Sequence, residues 1–438
     1  MKNDNILKKQ FSLLLIILLY LNVTAQDTKP YSYVFGEGLN FENKKGANLK
    51  IEGYLQPYFE SKNYTDANEE TANRFRMRRM RLRLSGNSAN ERFSYRFQVD
   101  LAGANEVDLD EGNNYLLDAY ISYELTDRID ITFGQRSTYT DNRELFMNSY
   151  ALQLVERSRL TSAFATIREF GLFANGTFRT GGGTYLKPYF VLTTGDGPNI
   201  FAADRGGLKV GGRLDFLPFG LFTNFGQFRQ ADIVRERIPK LVVGAHYSRN
   251  NGMSSRRGRE SGSIIYLDAN NEESLPDYTK FGVDFLFKYL GFSMLGEYIK
   301  STASVPTDIT QRVRNDGSIA TTFPANGIQD VDAYVRGRMM LGEAYNIQAG
   351  YLFKNGISID GRYTHLIADE NSFLNNATFY NRPNYYTVGI SKYLDRSYGA
   401  KIQASYTHID GSLGINNNEG NSISGDENIF RLILTLAF

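Results

Sequence analysis

After residue 48 the chain repeats one pattern, in which a run of alternating apolar and polar residues is followed by a turn or a loop. In the run 91–101, apolar residues from Phe93 to Leu101 occupy the odd positions, and polar residues from Arg92 to Asp100 occupy the even ones. A period of two predicts a β-strand with one apolar and one polar face. Because no long stretch shows a convincing helical period, we predict an all-β fold.

The alternation predicts sixteen strands when 330–353 is taken as one long strand interrupted near Gly342. Treating that segment as two strands gives seventeen, an odd number that bacterial single-chain barrels avoid. The predicted strands are 50–60, 72–86, 91–101, 114–125, 128–136, 167–178, 185–194, 208–217, 240–248, 278–289, 291–300, 330–353, 357–367, 384–394, 399–408 and 428–438.

The lengths of the connections indicate the topology. Short connections such as 126–127 and 290–291 alternate with long polar ones such as 137–166 and 249–277. Short turns at one end and long loops at the other are typical of an outer-membrane barrel. One connection, 218–239, is long where a short turn is expected, and its role stays open. We predict a 16-stranded antiparallel transmembrane β-barrel.

The last strand supports this prediction, because it alternates from Phe430 to a terminal Phe438, as in strands that outer-membrane assembly machinery recognises. Two stacked β-sandwich domains are the soluble alternative, but they would show no alternation of loop lengths. Closing the sheet satisfies the backbone of both edge strands in lipid. The apolar faces should therefore contact outer-membrane lipid, with a water-filled lumen inside. Tyrosines near strand ends should form interfacial girdles: Tyr54, Tyr123, Tyr289, Tyr363 and Tyr393.

Residues 1–25 have the features of a secretory signal peptide. A basic start with Lys2 and Lys8 precedes a short apolar core, which ends near the small residue Ala25. A membrane anchor is the alternative, but the core is shorter than the roughly 20 residues that a spanning helix needs. We predict a signal peptide at 1–25, an N-terminal lead segment at 26–48, a barrel at 49–438, and location in the outer membrane of a Gram-negative cell.

The composition argues against several other classes of protein. With 49 basic and 48 acidic residues the chain has no basic excess, which argues against nucleic-acid binding. It has no cysteine and three histidines far apart, so we expect no metal site and no cofactor. An outer-membrane hydrolase would need a Ser and a His within reach of each other. His365 and His408 share the apolar phase of their strands, and no Ser motif surrounds His246, so we predict that the chain is not an enzyme.

Six arginines fall within the predicted strand 72–86, where the apolar phase changes between Met77 and Met80. A bulge at Arg78 and Arg79 would reconcile the two phases and turn all six arginines to the lumen. On the lipid face each arginine would cost about 2–4 kcal/mol at the bilayer midplane. With two arginines of the next strand they form a basic stripe on one wall: Arg74, Arg76, Arg78, Arg79, Arg81, Arg83, Arg92 and Arg96.

The guanidinium group is permanently charged, and its planar fork suits phosphate or carboxylate. A row of such groups lowers the barrier for anions and raises it for cations. The alternative is that the arginines pair with acids on the inferred polar faces, such as Asp100 and Asp284, and leave a mixed, weakly selective lumen.

The connection 137–166 contains Arg143, Arg157 and Arg159 together with many apolar residues, among them Leu152 and Phe164. A solvated loop need not carry so much apolar surface, whereas a loop folded into the lumen and packed on the wall would. We predict an inward-folded constriction loop that narrows the pore. An extracellular lid packed among other loops is the alternative.

The segment 154–165, which reads LVERSRLTSAFA, resembles the constriction-loop signature of the phosphate-selective porin O and P family. The strand from Arg78 to Gly86, ending in Leu-Ser-Gly, resembles that family's Arg-rich second strand, and 117–123 is similar to its fourth strand. Residues 348–351 and 361–363 look like a hairpin of Bacteroidetes-type members. The resemblance covers nearly the whole chain after the signal peptide and is most specific in 72–165.

This resemblance implies a sixteen-stranded homotrimeric porin whose third loop folds inward and whose basic residues guide anions. Arg78 and Arg79 match the family's wall arginines, and Arg157 and Arg159 lie in its loop motif. Phosphate-specific members also use a loop lysine, and 137–166 contains none. We therefore predict a porin for passive diffusion of small anions such as phosphate. A weakly selective porin for small hydrophilic solutes, or a scaffold or adhesive barrel, stays open.

Overall fold

The computed structural model describes residues 31–65, 71–102, 115–198, 205–253, 265–314, 316–375, 382–411, 415–416, 422–423 and 425–438. The predicted signal peptide at 1–25 lies outside the described residues. Among these residues, no helix is long and apolar enough to cross a membrane.

Sixteen antiparallel strands form one closed barrel. Each strand pairs with the next along the chain, and the last strand pairs with the first from Glu427 opposite Tyr64 to Ala437 opposite Tyr54. The barrel strands are β1 (Asn48–Tyr64), β2 (Ala72–Asn87), β3 (Phe93–Asp100), β4 (Leu116–Thr126), β5 (Ile129–Ser137), β6 (Arg168–Gly176), β7 (Thr184–Thr193), β8 (Lys209–Leu217), β9 (Lys240–Asn250), β10 (Asp277–Tyr289), β11 (Phe292–Ser304), β12 (Gly342–Leu352), β13 (Ile357–Ala368), β14 (Asn384–Tyr393), β15 (Ala400–Ile409) and β16 (Glu427–Ala437). Closure excludes the two-sandwich alternative and confirms the predicted fold class.

Smaller elements lie in the connections and at the N-terminus. A hairpin of Tyr31–Val34 and Gly38–Glu42 pairs with the beginning of β1. The short helices are α1 (Arg143–Phe146), α2 (Arg159–Phe164) and α3 (Val331–Arg336), with 3₁₀ turns at Ser149–Ala151, Thr223–Phe228 and Phe373–Asn375. The short strands are Phe178–Gly181, Ile265–Leu267, Gln311–Val313, Ile319–Ala320, Pro324–Ala325, Ile328–Gln329, Ile415–Asn416 and Ser422–Ile423.

The prediction of one strand over 330–353 is wrong, although the count of sixteen is right. Residues from Val331 to Arg336 form helix α3, and the strand begins only at Gly342. The Asp330 side chain accepts a hydrogen bond from the Ala333 backbone N–H, which caps the helix. Gly342 has φ +129°, a left-handed value that favours glycine where the chain enters the sheet.

The two faces of the barrel follow the predicted alternation. The apolar residues of the last strand, from Phe430 to Phe438, are each about 40% exposed on the outer face. Two of the tyrosines predicted for the interfacial girdles are exceptions, because Tyr54 and Tyr393 are buried inside the barrel. Tyr54 stacks edge-on against Tyr150 of the connection after β5, so tertiary packing decided its role.

Candidate functional site: the lumen and its constriction

The connection between β5 and β6, residues 138–167, lies inside the barrel and is called the constriction loop below. It contacts lumen-facing residues on widely separated strands. Its Gln153 side chain donates to Ser293 on β11 at 2.6 Å and to Asp360 on β13 at 3.0 Å. Its Glu156 carboxylate reaches β2 on another side of the barrel. A segment that touches such distant walls must cross the lumen, so the extracellular-lid alternative is wrong.

A buried four-charge cluster anchors the beginning of the loop. The Arg143 guanidinium donates to Asp215 on β8 at 2.7 Å and to Asp284 on β10 at 2.8 Å. Arg213, on β8, donates to the same carboxylates at 2.7 Å and 2.5 Å. All four side chains are buried. Two cations and two anions balance, so this cluster holds the loop without leaving a net charge on that wall.

Glu144 organises the interior of the loop. Its carboxylate accepts bonds from the Ser158 backbone N–H at 2.7 Å and from the Thr161 hydroxyl at 2.6 Å. Burial opposes ionisation, but the Arg362 and Arg157 charges and these bonds hold the pKa of Glu144 below its usual value. Arg157 donates to the backbone carbonyls of Glu144 and Met147. Arg157 therefore cross-links the backbone of the constriction loop and does not project freely into the lumen.

Asp141 fixes the loop to β10. The Lys280 ammonium group lies 2.5 Å from the Asp141 carboxylate, and the Thr166 backbone N–H donates to it at 3.0 Å. Burial raises the pKa of this carboxyl, but Lys280 and Lys209 outweigh it and lower the pKa of Asp141 to about 2. The ion pair of Asp141 with Lys280 thus holds both ends of the constriction loop against β10.

The predicted bulge in β2 is present. Gln56 pairs with Arg79 and Pro57 with Met77, which leaves Arg78 as the extra residue. Arg78 and Arg79 consequently both point into the lumen and are completely buried. Both approach one carboxylate, since Glu156 lies 2.5 Å from the Arg78 guanidinium and 3.2 Å from that of Arg79. Two guanidinium groups therefore meet at one carboxylate of the constriction loop.

The other arginines of β2 follow the same face along the lumen. Arg81 pairs with Asp100 at 2.8 Å, and Arg83 pairs with Glu52 at 2.5 Å. Towards the long loops, Arg74 is half exposed and pairs with Glu60, while Arg76 stacks over the ring of Tyr58. The six arginines of β2 thus follow one side of the lumen, where acids neutralise part of their charge, and their role in lining the pore stays a prediction.

Three predicted residues lie away from this group. Arg92 precedes β3 and is exposed at the short-turn end, whereas Arg96 is half-buried and lies over the ring of Tyr120. Arg159 begins α2 and lies 5.9 Å from the Tyr385 ring centroid. The structure thus brings together Arg78, Arg79, Arg81 and Arg83 and separates them from Arg143 on the facing side of the loop.

Apolar packing fills the side of the lumen opposite β2. Leu160 and Phe164 of α2 pack against Ile299 and Leu366 on the inner wall. Met147 and Leu152 of the loop pack in a second cluster, together with Leu217, Phe222, Val242, Leu286 and Leu295. On the β2 side, Arg81 and Arg83 line a cavity beside Tyr150 of the constriction loop.

The connection 218–239, for which the sequence suggested no role, also enters the lumen. The Lys288 ammonium group on β10 donates to the carbonyls of Gly226 and Ala231 at 2.9 Å and 3.0 Å. The Gln230 side chain donates to Glu144 at 3.1 Å and accepts from the Gln153 backbone N–H at 2.7 Å. This segment, called the lower insert below, therefore meets the constriction loop from the short-turn end. The sequence signal for this segment was its length, because the other connections at that end of the barrel are short turns.

Comparisons with known proteins agree with this architecture. The family model described as phosphate-selective porin O and P matches residues 50–180, which include β2 and the constriction loop. This match confirms the resemblance over that part of the chain. A search of curated proteins found no match.

Solved structures of outer-membrane channels resemble the whole barrel. Pseudomonas putida OprB has 9% identity and a TM-score of 0.52, covering 90% of this chain and 94% of its own. Acinetobacter baumannii DcaP has 12% identity and a TM-score of 0.49, covering 91% and 99%. Vibrio cholerae OmpT has 8% identity and a TM-score of 0.49, covering 90% and 98%. The chain therefore has the fold of an outer-membrane porin and matches the phosphate-selective porin O and P family over residues 50–180.

Proposed function

We propose that this protein is an outer-membrane porin through which small anions, including phosphate, diffuse passively. The observation that carries the proposal is the pair Arg78 and Arg79, which shares the single carboxylate of Glu156 at the constriction. Together with Arg74, Arg76, Arg81 and Arg83, these two arginines line one side of the lumen with guanidinium groups. A fixed positive charge beside a narrow aqueous path lowers the barrier for anions and raises it for cations.

Two further arginines on the same side of the lumen add to this field. Arg136 lies over the rings of Tyr120 and Tyr139, at 5.0 Å and 4.6 Å, and Arg96 lies over Tyr120 at 5.6 Å. A tyrosine ring orients a guanidinium group without cancelling its charge. The pairs of Arg81 with Asp100 and of Arg83 with Glu52 favour the alternative of a weakly selective lumen, whereas Arg96 and Arg136, which lie over tyrosine rings, favour an anion-selective one.

The proposal includes export and assembly. We propose removal of 1–25 on the sequence features of that segment, and a homotrimer on the resemblance to the family. A transport role is favoured over a hydrolase, because the three histidines lie on different parts of the barrel. His365 and His408 are half-buried among outer-face tyrosines, and His246 is buried on the inner face of β9.

The test is the reversal potential of the purified protein in a planar bilayer with a KCl gradient. We expect a potential towards the chloride limit, and a shift towards zero in the double variant Arg78→Gln, Arg79→Gln, because two positive charges are removed from the constriction. Arg179→Gln, exposed in the short strand Phe178–Gly181, is the control and should leave the potential unchanged. A potential near zero or towards potassium in the unaltered protein would contradict anion selectivity, and the absence of stepwise conductance would favour the scaffold alternative.

A further inference from the structure

We propose that the lower insert, residues 218–239, forms a second anion-selective filter at the short-turn mouth, with Arg229 as its specificity-determining residue. This inference rests on the proposed anion-porin function and extends it to a different part of the pore. It assigns a role to a segment that interrupts the short-turn end of the barrel.

The lower insert is held firmly within the mouth. The Asp232 carboxylate accepts from the Gly291 backbone N–H at 2.8 Å, and the Tyr398 hydroxyl donates to the Ala231 carbonyl at 2.5 Å. Glu236 accepts from the backbone and hydroxyl of Thr223 at 2.7 Å and 3.0 Å, which closes the insert on itself. Together with the bonds from Lys288 on β10 and the bond of Gln230 to Glu144, these contacts fix the insert to the strands and to the constriction loop. A segment anchored in this way can hold a side chain at a constant position in an ion path.

A cavity lies between the lower insert and the constriction loop. It has a volume of about 380 Å³, and its lining includes Tyr150 of the loop, Arg81 and Arg83 of β2, and Arg229 of the insert. At roughly 30 Å³ per water, this space holds on the order of ten waters, enough for a partly hydrated anion. The cavity therefore continues the arginine-bearing wall towards the mouth.

The charges that line this cavity are unequal. Its cationic side chains are Lys50, Arg81, Arg83, Arg229 and Arg396, whereas the carboxylates that line it are those of Glu37 and Glu52, and Asp100 behind the lining pairs with Arg81 at 2.8 Å. Glu52 is already engaged by Lys50 at 3.0 Å and by Arg83 at 2.5 Å. Arg229 lies over the ring of Tyr398 at 5.1 Å, which positions its charge without neutralising it. The chemistry of the cavity fits a phosphate or a small carboxylate.

The first test compares two arginines of the same insert. Arg229→Gln removes the charge that lines the cavity, and Arg237→Gln removes an exposed charge outside it. In 0.1 M KCl we expect Arg229→Gln to lower the chloride-to-potassium permeability ratio about twofold, as expected for one unit charge several ångströms from the ion path in water. Arg237→Gln should leave the ratio unchanged. An unchanged ratio in Arg229→Gln, with the anion preference of the unaltered protein intact, would overturn this inference alone.

If the unaltered protein itself showed no anion preference, the proposed function and this inference would both fail.

A second test probes the cavity directly. The chain has no cysteine, so Val234→Cys, on the cavity lining, introduces a single reactive thiol. An anionic thiol reagent added at the short-turn side should reduce the chloride current, and a cationic reagent of the same size should reduce it less. Modification that leaves both currents unchanged would show that ions bypass the insert.

Phosphate provides the third measurement. Inorganic phosphate added at the short-turn side should reduce the chloride current more than the same concentration at the long-loop side, because it meets the cavity first. The difference should disappear in Arg229→Gln and persist in Arg237→Gln. Equal inhibition from both sides in the unaltered protein would overturn a phosphate-accepting filter at this mouth.

Discussion

Two walls of this barrel carry charged residues in opposite ways. On the inner face of β2, which we call the arginine wall, Arg78 and Arg79 share one carboxylate, that of Glu156. On the inner faces of β8 and β10, which we call the neutral wall, two arginines meet two aspartates in a buried cluster that anchors the constriction loop. Arginines thus line the lumen on one wall and anchor the constriction loop on the other, and the acidic residues around them distinguish the two roles.

The difference follows from the free energy of burying charge. A buried ion pair with balanced partners and good hydrogen bonds is costly to break, because removing one partner leaves an uncompensated charge. The arginine wall carries a row of guanidinium groups along the lumen, and the summed field of such a row acts on passing ions. The neutral wall should therefore control whether the loop stays in place, and the arginine wall should control which ions pass.

The largest expected effect, on the stability of the barrel, comes from removing an aspartate of the neutral wall. In Asp284→Ala, Arg143 and Arg213 are left with Asp215 alone, and we expect the refolded barrel to lose about 3–5 kcal/mol of stability, as for a broken buried pair. The constriction loop should also come loose and make single-channel currents larger and noisier. Thermal unfolding and single-channel recording would measure the two effects.

The matched control for this change is Asp332→Ala, which breaks the exposed pair with Arg336 in α3. Exposed pairs four residues apart contribute about 0.3–0.5 kcal/mol, so the stability of this variant should barely change. Equal destabilisation by both substitutions would contradict the anchoring role of the neutral wall.

A smaller effect is expected on the arginine wall. Glu156→Gln removes a carboxylate that both Arg78 and Arg79 contact and so adds one positive charge to the constriction. We expect the chloride-to-potassium permeability ratio to rise severalfold, while stability falls by about 1–3 kcal/mol, since hydrogen bonds to charged groups are lost. The reversal potential in a KCl gradient checks this prediction. A ratio that falls would mean that the arginines do not face the ion path.

The smallest effect concerns acid pH. The pKa of Asp141 is lowered to about 2, so this carboxylate stabilises the folded loop at every pH above its ordinary value, and the contribution disappears as the pH falls towards 2. The shift corresponds to roughly 2 kcal/mol. We expect constant single-channel conductance from neutral pH down to about pH 4, and loop opening below that. Asp141→Asn should remove the acid-dependent step, and a step unchanged in this variant would assign it to another group.

Several features of the candidate site were predictable from local patterns. The phase change between Met77 and Met80 predicted the bulge at Arg78, because the strand must keep its apolar residues on the outer face of the barrel. The apolar content of the constriction loop predicted that it would fold inward. Both inferences used nothing beyond the alternation of side chains on a strand and the cost of exposing apolar surface.

Other features were not predictable in this way. The prediction of a strand at 330–336 failed because a cap from Asp330 outweighs an alternation over a few residues. Tyr54 and Tyr393 looked like interfacial residues, but they lie on the inner face and pack there with the constriction loop and the turn after β14. The role of the lower insert could not be predicted from local patterns, because its contacts lie on strands that are distant in sequence.

The sequence by itself therefore determined the all-β class, the number of barrel strands, the outward-facing residues and the arginine-rich second strand. These properties depend on the period of two within a strand and on loop lengths, which are local. The tertiary structure alone decided which arginines are neutralised, how the loop is anchored and that a second segment enters from the other end. Those outcomes depend on closure and register, which bring Gln153 and Asp360, 207 positions apart, to within 3.0 Å.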